Sequence, residues 1–162
     1  MFANRAPAGT LGFAMKMRAH ALGPANGEQY SQLIRQSGLP VTGLLEQTEC
    51  FEFCDDQDVI VGFAGLKRAG VDALLRSLIV VPERRKAGFG SAIVEWATGF
   101  AARDGISQLF LLTTTAQPFF IKCGFQTIDR ASVPGLIGGL SEFSESCCSS
   151  AHVMKRNLTG GI

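Results

Sequence analysis

Leu75-Arg76-Ser77-Leu78-Ile79-Val80-Val81-Pro82-Glu83-Arg84-Arg85-Lys86-Ala87-Gly88-Phe89-Gly90-Ser91 reads as a β-strand that breaks, through a basic turn holding two glycines, into a helix. The helix that follows places Ile93, Val94, Ala97, Phe100 and Ala101 at the spacing of one buried face and ends at Asp104-Gly105. A strand, a glycine turn and a helix start in that order make an anion site. Glycine lets the backbone approach a ligand closely. The first-turn N–H groups have no partners inside the helix, and the helix dipole adds roughly half a positive charge at that end. Arg84, Arg85 and Lys86 add full charges, so the expected ligand is a small polyanion such as a diphosphate. The dinucleotide pattern G-x-G-x-x-G and the NTPase pattern G-x-x-x-x-G-K-[ST] are both absent from this stretch.

Working outward, the 162 residues suit one domain, and 46% apolar residues suffice for its core. The apolar runs fall short of the roughly twenty residues that cross a bilayer, and the start of the chain lacks the pattern of a secretory signal. A cytoplasmic protein is expected. A net charge of +1 gives no general reason to expect nucleic acid or a membrane as partner, which makes the basic run a local feature. The five cysteines are odd in number and lack C-x-x-C spacing, so neither a disulfide scaffold nor a bound metal is expected. Cys50 and Cys54 share strand parity and Cys147 and Cys148 are adjacent; capture of a soft metalloid by paired thiolates stands beside burial as ordinary core thiols.

Residues 1–10 read as a loose tail, and 11–162 as a single domain. A first strand spans Leu11 to Ala21, a helix Glu28 to Gln36, and a second helix, capped by Thr42, runs to about Thr48. Strands follow at Cys50 to Cys54 and Val59 to Leu66, a turn at Lys67 to Gly70, then the strand Ala73 to Val81, three antiparallel neighbours. After the long helix come a strand at Gln108 to Leu112, a short helix at Pro118 to Lys122, and strands near Phe125 and from Ala151 to Lys155. The expected fold class is α/β (α+β), a central mixed sheet flanked by helices on both faces.

Arg85, Gly88 and Gly90 form an Arg-x-x-Gly-x-Gly pattern after the strand that ends Val80-Val81-Pro82, and this resembles the acyl-CoA loop of the GNAT family of N-acetyltransferases. Three further stretches resemble the arsenic-resistance (ArsN-type) branch: Ala73 to Leu78; Leu109 to Ala116 with Phe119-Phe120 and Gly124-Phe125; and Glu142-Phe143 with Cys147 and Ser150-Ala151. The similarity runs from about residue 60 to 158. It implies a GNAT fold, acetyl-CoA as co-substrate, and acetylation of a small amine or amino-acid-like toxin in arsenic or related resistance. It implies that loop residues Arg85, Lys86, Ala87, Gly88, Phe89, Gly90 and Ser91 hold the diphosphate, and that the backbone of Ile79, Val80 and Val81 holds pantetheine. Pairing through outer strands, as in many GNAT proteins, makes a homodimer a possible partner state.

The family's Asn, Ala and Tyr helper positions match Thr113, Ala116 and Phe120. Thr113 keeps a hydroxyl for the coenzyme; Phe120 has no proton to give, so a tyrosine general acid cannot act there. Carboxylates on the presumed substrate side, Glu46, Glu49 and Glu52, are the candidate bases, with solvated surface charges as the plainer reading. Arg76 sits inside an apolar strand, with Leu74, Leu78 and Val80 sharing its parity, and needs a partner: a substrate acid group or a structural ion pair. Ser77 belongs to the opposite face unless a bulge shifts it. Thr114 and Thr115 offer hydroxyls to a substrate or cap the strand end. Two other functions stay open, a protein N-acetyltransferase and a non-catalytic module that binds coenzyme A or arsenite.

Overall fold

The computed structural model describes residues 16–39, 41, 44–45, 48–143 and 150–158. The expected tail, the start of the first strand, Thr42, Glu46, Cys147 and Cys148 lie outside them. Seven strands form one sheet: β1 (Met17–Leu22), β2 (Glu49–Asp55), β3 (Ile60–Ala69), β4 (Asp72–Val80), β5 (Gln108–Thr113), β6 (Gln126–Ile128) and β7 (His152–Asn157). Their order is β1-β2-β3-β4-β5-β7-β6. Only β4 and β5 run parallel; all other neighbours are antiparallel. The helices are α1 (Glu28–Gln36), α2 (Phe89–Arg103), α3 (Gln117–Lys122) and the single turn α4 (Gly135–Gly138).

Alternation along the strands assigns each side chain to a layer. Leu75, Leu109 and Leu111 join α2 in the larger core, together with Phe51, Phe53, Trp96 and Phe100. Phe51 packs edge-on to Trp96 and Phe100 at ring separations of 4.8 and 5.0 Å. Truncating such a ring costs about 3–5 kcal/mol, so Phe100 sets where α2 lies on the sheet. On the other face, Tyr30 and Ile34 of α1 pack with Cys50, Phe63 and Ile79, while Leu74 and Phe110 meet Ile137 of α4.

Two expectations change. The turn placed at Lys67 to Gly70 begins later, because β3 continues to Ala69 and pairs with Asp72 of β4, leaving Gly70 (φ +69°) and Val71 to reverse the chain. Leu44 and Leu45, inside the expected second helix, form a turn. Thr42 and Glu46 of that segment are not among the described residues.

The strand interior of β4 holds the feature that opens the molecule. Its register against β3 passes from Gly65↔Arg76 to Phe63↔Ile79, with Ser77 and Leu78 opposite the single residue Ala64, which is a β-bulge. Ser77 absorbs it at φ +57°, a left-handed conformation that costs a non-glycine residue about 1–2 kcal/mol. Parity reverses there. Arg76 lies on the α1 and α4 side with Leu74, whereas Leu78 and Val80 pack toward α2. The expected single face through Arg76, Leu78 and Val80 is therefore broken, and Ser77 is no longer bound to the helix side. Pairing of β4 with β5 stops at Leu74↔Phe110, so the β5-facing edge of β4 is open from Leu75 onward.

Candidate active site

The gap between β4 and β5 is the mouth of a cavity of about 860 Å³. The diphosphate-type loop borders one end of it. Gly88 precedes α2 in a left-handed conformation (φ +89°) and Lys86 turns the same way (φ +67°), so the chain doubles back into the helix start. No side chain caps α2, and its first-turn amides are left for a ligand. Gly90 lies against Phe119 of α3, where an added Cβ would meet the ring at 3.2 Å.

Of the coenzyme residues expected from sequence, the cavity is lined by Ile79, Val80, Arg85, Lys86, Gly88, Gly90, Ser91, Thr113 and Phe120. Val81, Ala87 and Phe89 do not line it: Phe89 is buried in the α2 core, and the Val81 amide donates to the Val61 carbonyl at 2.9 Å. Arg84 also turns away from the loop. It pairs with Asp55 and stacks over the Phe89 ring at 5.5 Å, so among the described residues the loop cations outside an ion pair are Arg85 and Lys86. Arg85 Nε donates to the Val80 carbonyl at 3.1 Å, tying the loop to the splayed strand. Because Val81 bonds toward β3, the alternation of backbone groups leaves the Val80 amide on the open edge.

Arg76, Ser77, Thr114 and Thr115 line the same cavity. Arg76 is 7% exposed and its guanidinium donates to Glu142 Oε2 at 2.5 Å and, through Nε, to Ser77 Oγ at 3.0 Å. Glu142 is 4% exposed and also accepts from Lys67 Nζ at 3.2 Å. Burial alone would raise the Glu142 pKa, but a backbone hydrogen bond, Arg76 and Lys67 together hold it below the ordinary carboxylate value. It stays ionised and is a poor base.

Glu142 was not among the sequence candidates, although a strand-interior arginine requires a partner and this acid stands beside Phe143 in an otherwise apolar, glycine-rich segment. Of the expected bases, Glu46 is outside the described residues, and Glu49 and Glu52 lie elsewhere. Glu49 accepts from Arg68 at 2.9 Å, Glu52 faces His20 across β1 and β2, and neither lines the cavity. Thr113 Oγ1 accepts the Ala116 amide at 3.0 Å, capping the turn into α3 while keeping its own proton to donate. Phe120 is buried edge-on between Phe119 and Phe125.

The chain's single tyrosine, Tyr30, lies fully buried under β4 and donates to the Ser77 carbonyl at 2.7 Å. Burial pushes its pKa well above the ordinary phenol value, so it remains a proton-bearing clamp on the bulge.

Residues 47–127 fit the family model described as an acetyltransferase (GNAT) domain. The chain belongs to the GNAT family. An uncharacterized N-acetyltransferase from Chlorobaculum tepidum is 28% identical over 95 residues, which is 58% of this chain and 61% of that relative. N-acetylglutamate synthase from Neisseria gonorrhoeae, solved with coenzyme A and L-arginine, superimposes with a TM-score of 0.70 and 20% identity, over 90% of this chain and 34% of the synthase. Spermidine N-acetyltransferase from Vibrio cholerae gives 0.67 and 14%, over 89% of this GNAT chain and 95% of its own. At such identities the two solved structures show a shared fold. The chain thus spans under two thirds of the curated relative and about a third of the synthase. No helix among the described residues is long and apolar enough to cross a membrane.

Proposed function

We propose that this protein is an acetyl-CoA-dependent N-acetyltransferase whose acceptor is a small amine bearing an acid group, an amino-acid-like toxin of the kind met in arsenic or related resistance. The observation that carries the reading is the opening of β4 from β5 at Leu74, which joins the amide-rich start of α2 to the Arg76–Glu142 pair in one cavity. The loop amides with Arg85 and Lys86 suit a diphosphate, and the free edge of β4 suits an extended pantetheine arm. The Val80 amide is then a donor for the thioester oxygen, where negative charge grows as the amine attacks.

The reaction forms a C–N bond and breaks the C–S bond. The ammonium proton must leave before attack, and coenzyme A departs as a thiolate. A guanidinium on the cavity wall, that of Arg76, disfavours a neighbouring ammonium and so favours the neutral nucleophile. Phe120 supplies no proton, and the departing thiol, acidic to about the same degree as cysteine, leaves near neutral pH with water as proton source. The arsenic-related acceptor is supported by the sequence resemblance over residues 60–158 together with the Arg76 guanidinium on the cavity wall, a group whose chemistry suits a carboxylate or oxyacid.

Calorimetric titration with acetyl-CoA tests the coenzyme site, followed by thiol-release assays on glutamate-like amines and on neutral amines of the same size. Tight binding and faster turnover of the acidic amines are expected. Absence of acetyl-CoA binding overturns the enzymatic reading, and equal rates on both amine classes overturn the acceptor assignment.

A further inference from the structure

A second cluster lies well away from the cavity, where edge strand β1 meets β2. His20 stands directly opposite Glu52 in the ladder and Arg18 opposite Cys54, so the side chains of His20, Glu52 and Cys54 leave the sheet on one face, opposite to Ala19 and Phe53 in the α2 core. His20 Nδ1 is 3.9 Å from Glu52 Oε1, Cys54 Sγ is 3.8 Å from the same oxygen, and the three donors fall within 4.8 Å of one another. None of the three lines the cavity. We propose that His20, Glu52 and Cys54 form a binding site for a divalent cation of the zinc class, which fastens β1 to the sheet.

The spacing is what a tetrahedral ion requires. Bonds of about 2.0–2.1 Å to nitrogen or oxygen and about 2.3 Å to sulfur place neighbouring donors roughly 3.3–3.8 Å apart. Two of the separations are already close to that spacing, and rotation of the half-exposed imidazole closes the third. The ladder supplies the rigidity, since all three ligands stand on paired strands. Charge also balances: Glu52 and the Cys54 thiolate cancel a 2+ ion, and the nearby Arg18 is held by Asp58. Cys54 gives up its thiol proton as the metal–sulfur bond forms, so binding releases one proton. The half-exposed side of His20 leaves the fourth position to water.

One nitrogen, one oxygen and one sulfur select borderline ions, zinc, cobalt, nickel or copper, over magnesium and calcium, which take oxygen ligands. Arsenite favours several thiolates, and the cluster holds one. Cys50, four residues back along extended β2, is roughly 13 Å away by strand rise, and its Sγ donates to the Leu44 carbonyl at 3.0 Å. The paired-thiolate idea therefore does not describe Cys50 and Cys54.

Cobalt(II) titration of the reduced, chelator-treated full chain is the test, because a thiolate ligand gives a near-ultraviolet charge-transfer band and four-coordination gives strong visible bands. The expected result is one equivalent bound with both signals, zinc displacing cobalt, and loss of the charge-transfer band in Cys54→Ser. Since Cys54 is buried, His20→Ala on the half-exposed edge is the second variant, and it should weaken cobalt binding at least about tenfold. A wild-type chain without the band overturns the proposal. So does a band that survives Cys54→Ser and disappears in Cys123→Ser or in Cys147→Ser/Cys148→Ser.

Discussion

The two ends of the cavity are built from different materials. The loop end is backbone: Gly88 and Gly90, the bare amides of α2 and the free edge of β4, all supplied by one continuous stretch of chain. The end we propose for the acceptor is side chain: Arg76 from β4 and Glu142 from a turn sixty-six residues further on, with Lys67 of β3 paired to Glu142 outside the cavity lining. A site made of consecutive amides is set by local geometry and serves one ligand class in many proteins. A site made of charges brought together from three segments is free to differ between relatives of one fold, which is why the shared fold does not transfer an acceptor.

The sharpest way to break the acceptor end is Glu142→Gln. It keeps the shape but leaves two poorly solvated cations facing each other, a loss of about 3–5 kcal/mol for removing one partner of a buried pair. The urea midpoint should fall accordingly at pH 7. The sign with pH follows from the lowered pKa: the Glu142 contribution is complete above the ordinary value of 4.5 and is lost as pH falls through the lower folded value. The gap between wild type and Glu142→Gln should therefore narrow in acid. A gap independent of pH would show that the carboxylate charge is not what the variant removes.

Gly88→Val strikes the other end. A β-branched residue at φ +89° costs more than the roughly 1–2 kcal/mol of an ordinary left-handed residue, and its side chain intrudes where the diphosphate would lie. Acetyl-CoA affinity should fall by about tenfold or more while the KM of the acceptor stays unchanged. Equal losses for both substrates would mean that the two ends are not separable.

Arg76→Lys sharpens the comparison within the acceptor end. A point charge can keep the contact with Glu142 but cannot offer a second oxyacid a planar fork. KM for acid-bearing amines should rise about tenfold, with neutral amines unaffected. A uniform change would return Arg76 to a purely structural role.

The same contrast explains what could be read in the sequence. Strand parity and helical spacing placed α1, β2, β4 and α2 to within a residue or two, because each buries a regular face. The loop was legible because its chemistry is local. Glu142 was not, since nothing in the neighbourhood of residue 142 signals a contact with residue 76. The bulge at Ser77 was hidden for a related reason: a serine is an unfavourable residue for φ +57°, and the group that bonds its carbonyl, the Tyr30 hydroxyl, lies forty-seven residues away beneath the sheet. Val81 shows the converse limit: the segment is legible, but that its amide bonds to β3 is not.

That tyrosine offers the smallest and most specific test, because it does not itself line the cavity and reaches its wall from beneath, through the Ser77 carbonyl. Tyr30→Phe removes the 2.7 Å bond to the Ser77 carbonyl and little else, since the ring keeps its stacking on Phe63 at 4.8 Å. The direct cost is about 1 kcal/mol. If the bond only adds to packing, the melting temperature falls and kinetics at a permissive temperature do not change. If it holds the bulge that parts β4 from β5, kcat falls severalfold while the KM for each substrate moves little, because both ends of the cavity persist and only their alignment is lost. The second pattern is expected: Ser77 occupies a conformation its own side chain disfavours, and the Tyr30 hydroxyl is the contact aimed at its carbonyl.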